Sequence, residues 1–161
     1  GPVAQDPGRR RQAHQEAVRP VMSFAPIRAI LEGDVAAAVD PVSVVFDNTF
    51  ETPPSLPYVR FTVSFDAPTS DAIGGGMASH VTGVVQANVY VAKMTGSLGG
   101  ELLAAKILDA WQDLAAAAVV PPGWRVVPRS LEGPQTLAPD KREAHVVVVG
   151  AAFSATLYET P

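Results

Sequence analysis

The sequence predicts an α+β fold, a mainly antiparallel sheet with two helices packed on one face. Two features predict the sheet, because residues 58–65 and 81–91 alternate strictly between apolar and polar side chains, as half-buried strands do. A third feature predicts a helix, since Leu103, Ile107 and Trp111 recur at helical spacing on one stripe. The predicted order is helix, three strands, helix and two strands, which suits helices layered over one sheet.

The first helix is predicted to begin near Ser23, whose hydroxyl can cap it, and apolar residues then recur every three or four positions as far as Ala38. Pro26 is compatible with this helix because it falls in the first turn. The Asp-Pro pair at positions 40–41 ends the helix, and residues 42–46 are predicted to form a short strand.

The second half of the chain is predicted from its turns. A glycine-rich turn over residues 95–100 opens the second helix, which is predicted from about Leu98 to Ala117 with Glu101 in its first turn. The closing strands are predicted over residues 124–127 and 144–158, with a polar turn region at residues 131–142 between them. Gly83, within a strand, predicts a bulge or a close approach of two backbones.

Length and composition favour one folded domain, because 161 residues with 47% apolar content can bury one core. We expect this domain to span residues 22–161. Residues 1–21 are polar, without apolar periodicity, and are expected to be a disordered leader or the remnant of a cleaved tag. No apolar run approaches the ~20 residues of a membrane span, and without cysteine no disulfide can form.

Charge argues against a nucleic-acid-binding protein. The net charge is −4, but four of the twelve basic residues lie in the first 21 positions. From Met22 onward eight basic residues face fourteen acidic ones. We therefore expect an acidic body without the basic patch that binding to a phosphate backbone requires.

No catalytic, cofactor-binding or metal-binding residues are predicted. His80 and His145 each begin a strand, and neither has a second ligand at metal-binding spacing. The three consecutive glycines at 74–76 precede a strand instead of the helix that a phosphate site needs. Asp109 and Asp113 lie one turn apart on an exposed helix face, where carboxylates usually serve only solvation.

Residues 42–114 resemble the tail-terminator, or tail-completion, proteins of long-tailed bacteriophages. The resemblance is carried by a short strand and Asp47 before a proline-rich loop, the motif Pro57-Tyr58-Val59-Arg60-Phe61, the His80-x-x-Gly83 strand, and the Thr95-Gly96 turn into an alanine-rich helix. It covers about half of the chain, and beyond Pro121 only the strand content matches. The turn at residues 93–96 lacks the proline that is common in the family.

The resemblance implies a structural protein, not an enzyme, and no cofactor. Such a protein forms a ring, usually of six subunits, on the head-proximal end of the tail tube of a virion or a phage-like gene-transfer particle. The ring stops tube polymerisation and joins the tail-tube protein to the head–tail connector protein, and DNA only passes through its lumen. Assembly would take place in the cytoplasm of the bacterial host, without a membrane. An acidic body would keep passing DNA from adhering, since like charges repel.

Two groups of residues are predicted to make the assembly contacts. A long loop over residues 66–79 could become ordered on a partner, because loops of this length in compact domains are usually functional; its candidate residues are Asp66, Thr69, Asp71, Gly74, Gly75 and Gly76. The outward side of the two alternating strands is the candidate ring interface, with Tyr58, Arg60, Thr62, Gln86, Asn88 and Tyr90.

Two other functions are compatible with the same residues. A head-completion or neck protein of such a particle could share this α+β core, and it would bind portal-side proteins instead of the tube. A small enzyme with an unrecognised site is the alternative from a different class, and a concave pocket with perturbed titratable groups would favour it.

Overall fold

The computed structural model describes residues 24–47, 52–66, 80–92, 96–117, 123–137 and 144–158. These residues form two helices and five strands. In chain order they are α1 (Ala25–Val39), β1 (Ser43–Val45), β2 (Tyr58–Phe65), β3 (His80–Ala92), α2 (Gly96–Ala116), β4 (Gly123–Leu137) and β5 (Ala144–Tyr158). The predicted α+β class and the predicted order of elements are confirmed. The predictions for residues 1–23 and 67–79 lie outside the described residues.

The five strands form one mixed sheet in the order β1-β2-β3-β5-β4. The short strand β1 runs parallel to β2, and every other pair is antiparallel. The centre of the sheet is β3, which pairs along its whole length with β5. Because β3 and β5 are the longest regularly paired strands, they set the register of the rest of the sheet.

Alternation in β2 and β3 places the core as predicted. Val59 lies opposite Val89 and Phe61 opposite Ala87, and all four are almost completely buried beneath the helices. β5 continues this inner face through Val147, whose partner is Val89. The other face of the sheet carries no helix among the described residues.

Both helices use one apolar stripe to cover this inner face. Helix α1 buries four residues at three- and four-residue spacing: Ile27, Leu31, Val35 and Val39. Helix α2 buries Ala104, Ile107 and Trp111 against β3, β4 and β5, and it also contacts α1. Neither described helix is both long and apolar enough to cross a membrane.

The predicted glycine-rich turn before α2 is wrong, because the helix already begins at Gly96. Gly99 and Gly100 therefore lie inside the helix, and Glu101 lies beyond the first turn. Gly100 is required by packing, since a Cβ atom there would lie only 2.7 Å from Cγ2 of Val147. The tertiary contact with β5 outweighs the low helix propensity of glycine.

A polar turn was predicted over residues 131–142, but residues 131–137 belong to β4, which continues to Leu137. For these residues the prediction is wrong. This outer half of β4 pairs irregularly with β5, with register shifts between Arg129 and Glu132 and between Glu132 and Gln135. Each shift places one extra residue on β4, which is the geometry of a β-bulge. The extra residues break the polar–apolar alternation that identifies a strand in a sequence.

Gly83 makes the close backbone approach that was one of its two predicted roles. The pairing of β3 with β2 and β5 continues without a shift through Gly83, so it forms no bulge. A Cβ atom there would collide with the carbonyl oxygen of Ser64 and would lie 2.7 Å from the ring of Phe153. The aromatic ring of Phe153 occupies the space that a side chain would take.

Candidate protein interface

The open face of the sheet brings all six predicted interface residues together. The register places Tyr58 opposite Tyr90, Arg60 opposite Asn88, and Thr62 opposite Gln86. Side chains that lie directly opposite on neighbouring strands point to the same face. The six predicted residues therefore share one face of the sheet, while their role in assembly stays a prediction.

The middle of this face is polar and exposed. The side-chain amide of Gln86 donates a hydrogen bond to Asn88 Oδ1 at 2.9 Å, and the Thr62 hydroxyl donates to the carbonyl oxygen of Gln86 at 3.5 Å. Arg60 and Gln86 are exposed. Exposed amides and hydroxyls beside a guanidinium can form directional bonds to a protein partner, whereas they supply no nucleophile with a base.

One end of the face is aromatic and closed, so the expectation that Tyr58 is exposed is wrong. Its side chain is 4% exposed, and its ring stacks on Tyr90 with centroids 4.7 Å apart. Pro53 and Pro54 of the segment before β2 line an apolar pocket of about 310 Å³ together with both tyrosines. Tyr58 therefore stabilises the monomer and is not a free contact residue.

The opposite end of the face is a groove of about 480 Å³ across β3, β5 and β4. Arg125 and Arg129 line it together with His80, whose Nδ1 lies 3.3 Å from Thr156 Oγ1. The Nε atom of Arg125 is buried and has no hydrogen-bond partner among the described residues. The groove thus holds cationic hydrogen-bond donors that a partner could satisfy.

The acidic excess predicted for the chain is therefore unevenly distributed. The described arginines of the open face, Arg60, Arg125 and Arg129, make no ion pair with another described residue. The helix side instead carries most of the described carboxylates: Glu32, Asp34, Asp40, Glu101, Asp109 and Asp113. The two sides of the molecule thus differ in the sign of their charge.

The predicted assembly loop can be followed only at its first residue. Asp66 lies at the end of β2, where its backbone N–H donates to the carbonyl oxygen of Thr82 at 2.9 Å. The Thr82 hydroxyl in turn donates to Asp66 Oδ2 at 2.8 Å. Asp66 is therefore fixed to the sheet at the rim of the groove, and the other five predicted loop residues (Thr69, Asp71, Gly74, Gly75 and Gly76) lie outside the described residues.

The outer face of α2 carries an apolar feature that the sequence analysis missed. Leu98 and Leu102 lie one turn apart and are 66% and 58% exposed. On the open face of the sheet, Val84 is 51% exposed. Helical spacing could have identified these two leucines, because it places them on the side of α2 opposite the buried residues.

The edges of the sheet are poorly suited to pairing with another strand. At the outer edge of β2, beyond the short strand β1, the backbone N–H of Val63 donates to Asp47 Oδ2 at 3.1 Å, and Arg28 Nη1 donates to the same oxygen at 3.2 Å. At the other edge, β4 has two bulges, positive φ angles at Ser130 and Gly133, and a proline at position 134. Both devices interrupt the row of free backbone donors.

Among the described residues no cluster of three or more histidine, aspartate or glutamate side chains could hold a metal ion. One carboxyl group has a clearly shifted pKa. Burial raises the pKa of Asp34 from its ordinary 3.8 to about 6, and the negative charge of Asp113 contributes further. Asp34 Oδ2 is buried without a hydrogen-bond partner among the described residues. This carboxyl lies on the helix side of the molecule, so its raised pKa does not point to a catalytic site in the groove.

Replacing Asp34 by asparagine is expected to stabilise the protein above about pH 6. The folded state holds the Asp34 proton more tightly than the unfolded state. Ionisation of Asp34 therefore leaves the free energy of unfolding unchanged below about pH 4, lowers it as the pH rises from about 4 to about 6, and keeps it lowered at higher pH. For a partly exposed group, screening by solvent reduces the gain to about 1–2 kcal/mol.

Urea unfolding of wild type and Asp34→Asn at about pH 4 and about pH 7.5 measures this difference. Asp109→Asn is the matched control, because Asp109 is an exposed carboxylate on the same side. A variant that is less stable than wild type at the higher pH would contradict the burial of an ionised carboxyl.

Comparison with known proteins supports the architecture. No family model matches the sequence, and no curated protein matches it. Twenty-four chains of solved structures match. One of them has a TM-score of 0.59 and 25% sequence identity, over 87% of this chain and 100% of that chain. The name of that protein describes no activity, ligand or partner, so the similarity bears on the α+β fold alone.

Proposed function

We propose that this chain is a structural, non-enzymatic tail-terminator protein that forms a ring on the end of a phage-like tail tube. The observation that carries the proposal is a row of polar side chains (Arg60, Thr62, Gln86 and Asn88) on a sheet face that no described helix covers. In addition, Asp47 beside β2 and the bulges of β4 hinder pairing at the sheet edges. A protein built in this way associates through its faces. The kind of assembly, a ring on a tail tube, is inferred from the resemblance of residues 42–114 to tail terminators.

The charge distribution supports a ring more than a two-fold dimer. A cyclic ring uses a heterologous contact, in which two different surfaces of each subunit meet. The helix side carries carboxylates and the open sheet face carries unpaired arginines, so the two sides are complementary to each other and not to themselves. A two-fold contact between two open faces would instead bring like charges together.

The implied partners follow from the same role. The ring would bind the tail-tube protein below and the head–tail connector above, with DNA passing through its centre. The particle would be a virion or a gene-transfer device, and the protein would occupy the head-proximal end of its tail. These partners are inferred from the resemblance alone.

A tube-capping assay tests this function. Tail-tube subunits polymerised with the purified protein should give short, uniform tubes with a ring at one end in electron micrographs, and native mass spectrometry should detect the ring. Without the protein, tubes should grow to variable length. Binding to portal-side proteins with no effect on tube length would instead indicate a head-completion protein. If no ring is detected, in native mass spectra or on the tube ends, the proposal is contradicted.

A further inference from the structure

We propose that the outer face of α2 in one subunit packs onto the groove at the arginine-bearing end of the open sheet face in the next subunit. This inference rests on the proposed ring and names its subunit contact. Both surfaces belong to the described residues of the same chain, and each is unpartnered within them. The occupant of the groove is therefore a second copy of this protein.

The helix surface has the shape of a contact stripe. Leu98, Leu102, Ala105 and Asp109 follow one another at intervals of four, three and four residues, which places them on one side of α2. This side lies opposite Ala104, Ile107 and Trp111, which are buried in the monomer. An exposed pair of leucines on an otherwise folded helix is the pattern of an interface anchor with a polar surround.

The sheet surface can receive such a stripe. Val84 pairs with Ala152, and the next residue pair on this face is Gln86 with Gly150. The small residues on β5 leave a depression beside the exposed Val84 side chain, and this depression is part of the groove. Small side chains let a helix approach a sheet closely, so leucine side chains could contact Val84 and Ala152.

Charge fixes the direction of the contact. On α2 the carboxylates of Glu101 and Asp109 lie beside the leucines together with one cation, Lys106, so this helix surface is net acidic. The groove is net basic, because Arg125 and Arg129 line it with one carboxylate, Asp66. The two α2 carboxylates and the two arginines have no ion-pair partner among the described residues. Opposite charges at the rim of an interface select the correct orientation and exclude the like-charged alternative.

The groove fits a protein better than a nucleic acid. Among the described residues two arginines line it, and the apolar side chains of Val84 and Val127 lie beside them. Asp66 also lines it, and its carboxylate would repel a phosphate backbone. A mixed apolar and cationic surface instead matches a helix with leucines and carboxylates.

Cysteine cross-linking tests the contact directly, because the chain contains no cysteine of its own. The double variant Val84→Cys/Leu102→Cys should form a ladder of covalent oligomers when oxidised at high concentration, since each subunit carries both halves of the contact. The variant Leu102→Cys alone should form far less dimer, because the two helix surfaces do not meet each other. Leu102→Cys/Asp40→Cys is the matched control, with the second thiol on an exposed residue outside the groove.

Charge exchange provides an independent test. Glu101→Arg/Asp109→Arg and Arg129→Glu should each weaken self-association at least several-fold in sedimentation, with unchanged circular dichroism. An equimolar mixture of the two variants should regain association, because each variant surface then meets a complementary one.

The outcomes separate this inference from the proposed function. Rings on tail tubes without the Val84→Cys/Leu102→Cys ladder would overturn the contact and leave the function standing. A ladder without tube capping would support the contact and overturn the function. If Arg125→Glu or Arg129→Glu abolished binding of the chain to duplex DNA while no ladder formed, the groove would be a nucleic-acid site and the inference would be wrong.

Discussion

Replacing Trp111 by alanine is expected to lower the free energy of unfolding by about 3–5 kcal/mol, the largest effect of a single substitution foreseen for this chain. Trp111 is completely buried and has the largest side chain among the fully buried residues. It lies on the stripe of α2 that covers the sheet and also faces α1. Its removal would leave a cavity between the helices and the sheet that the rigid sheet cannot collapse to fill.

Trp111→Phe is the informative partner of this variant. The indole Nε1 is buried without a hydrogen-bond partner among the described residues, so the wild type already bears the cost of a desolvated donor. Phenylalanine removes that donor and retains most of the ring, and we expect it to be much closer to wild type than alanine. Chemical denaturation of the three proteins measures both differences, and a loss below about 1 kcal/mol for alanine would contradict the burial of Trp111.

Replacing Gly83 by alanine is expected to cost roughly 2–3 kcal/mol, near the upper end for an overpacked core site. The new methyl group would collide with the carbonyl oxygen of Ser64 on one side and with the Phe153 ring on the other. Backbone cannot move without breaking the pairing of β2 with β3. The Phe153 ring is itself held by an edge-to-face contact with Phe65, with centroids 5.8 Å apart.

Gly33→Ala is the matched control for Gly83→Ala. Gly33 lies within α1, and a Cβ atom there would meet nothing within 4 Å. Alanine should therefore stabilise the helix by about 0.5–1 kcal/mol through its higher helix propensity. Thermal unfolding of the two variants should shift in opposite directions. Equal shifts would show that the close contact at Gly83 is not what limits substitution.

The sequence predicted the parts of the fold that follow a regular period. Alternation in β2 and β3 and the apolar stripes of both helices reflect contact with one core, so burial and pattern coincide. Two parts lacked such a pattern. The first turn of α2 is followed by Gly100, which packs against Val147 of β5, and Glu132 to Leu137 form strand because they pair with β5 through bulges. Both depend on a distant partner strand that local sequence does not reveal.

The candidate interface was predictable to a similar extent. Because the polar positions of β2 and β3 alternate with the core, all six predicted residues fell on one face. The burial of Tyr58 could not be foreseen, since it depends on tertiary neighbours: the ring stacks on Tyr90 and lines a pocket with Pro53 and Pro54. The groove was not predicted either. Arg125 and Arg129 are far from His80 in the sequence and become its neighbours only through the order of the strands in the sheet.

The interruptions at both edges of the sheet affect how the protein behaves at high local concentration. Strands with free edges can add to one another without limit and grow into cross-β fibrils. Here Asp47 occupies a backbone donor of β2, and the bulges and Pro134 distort β4. Both features therefore lower the tendency of many copies held close together to pair edge to edge and grow into fibrils.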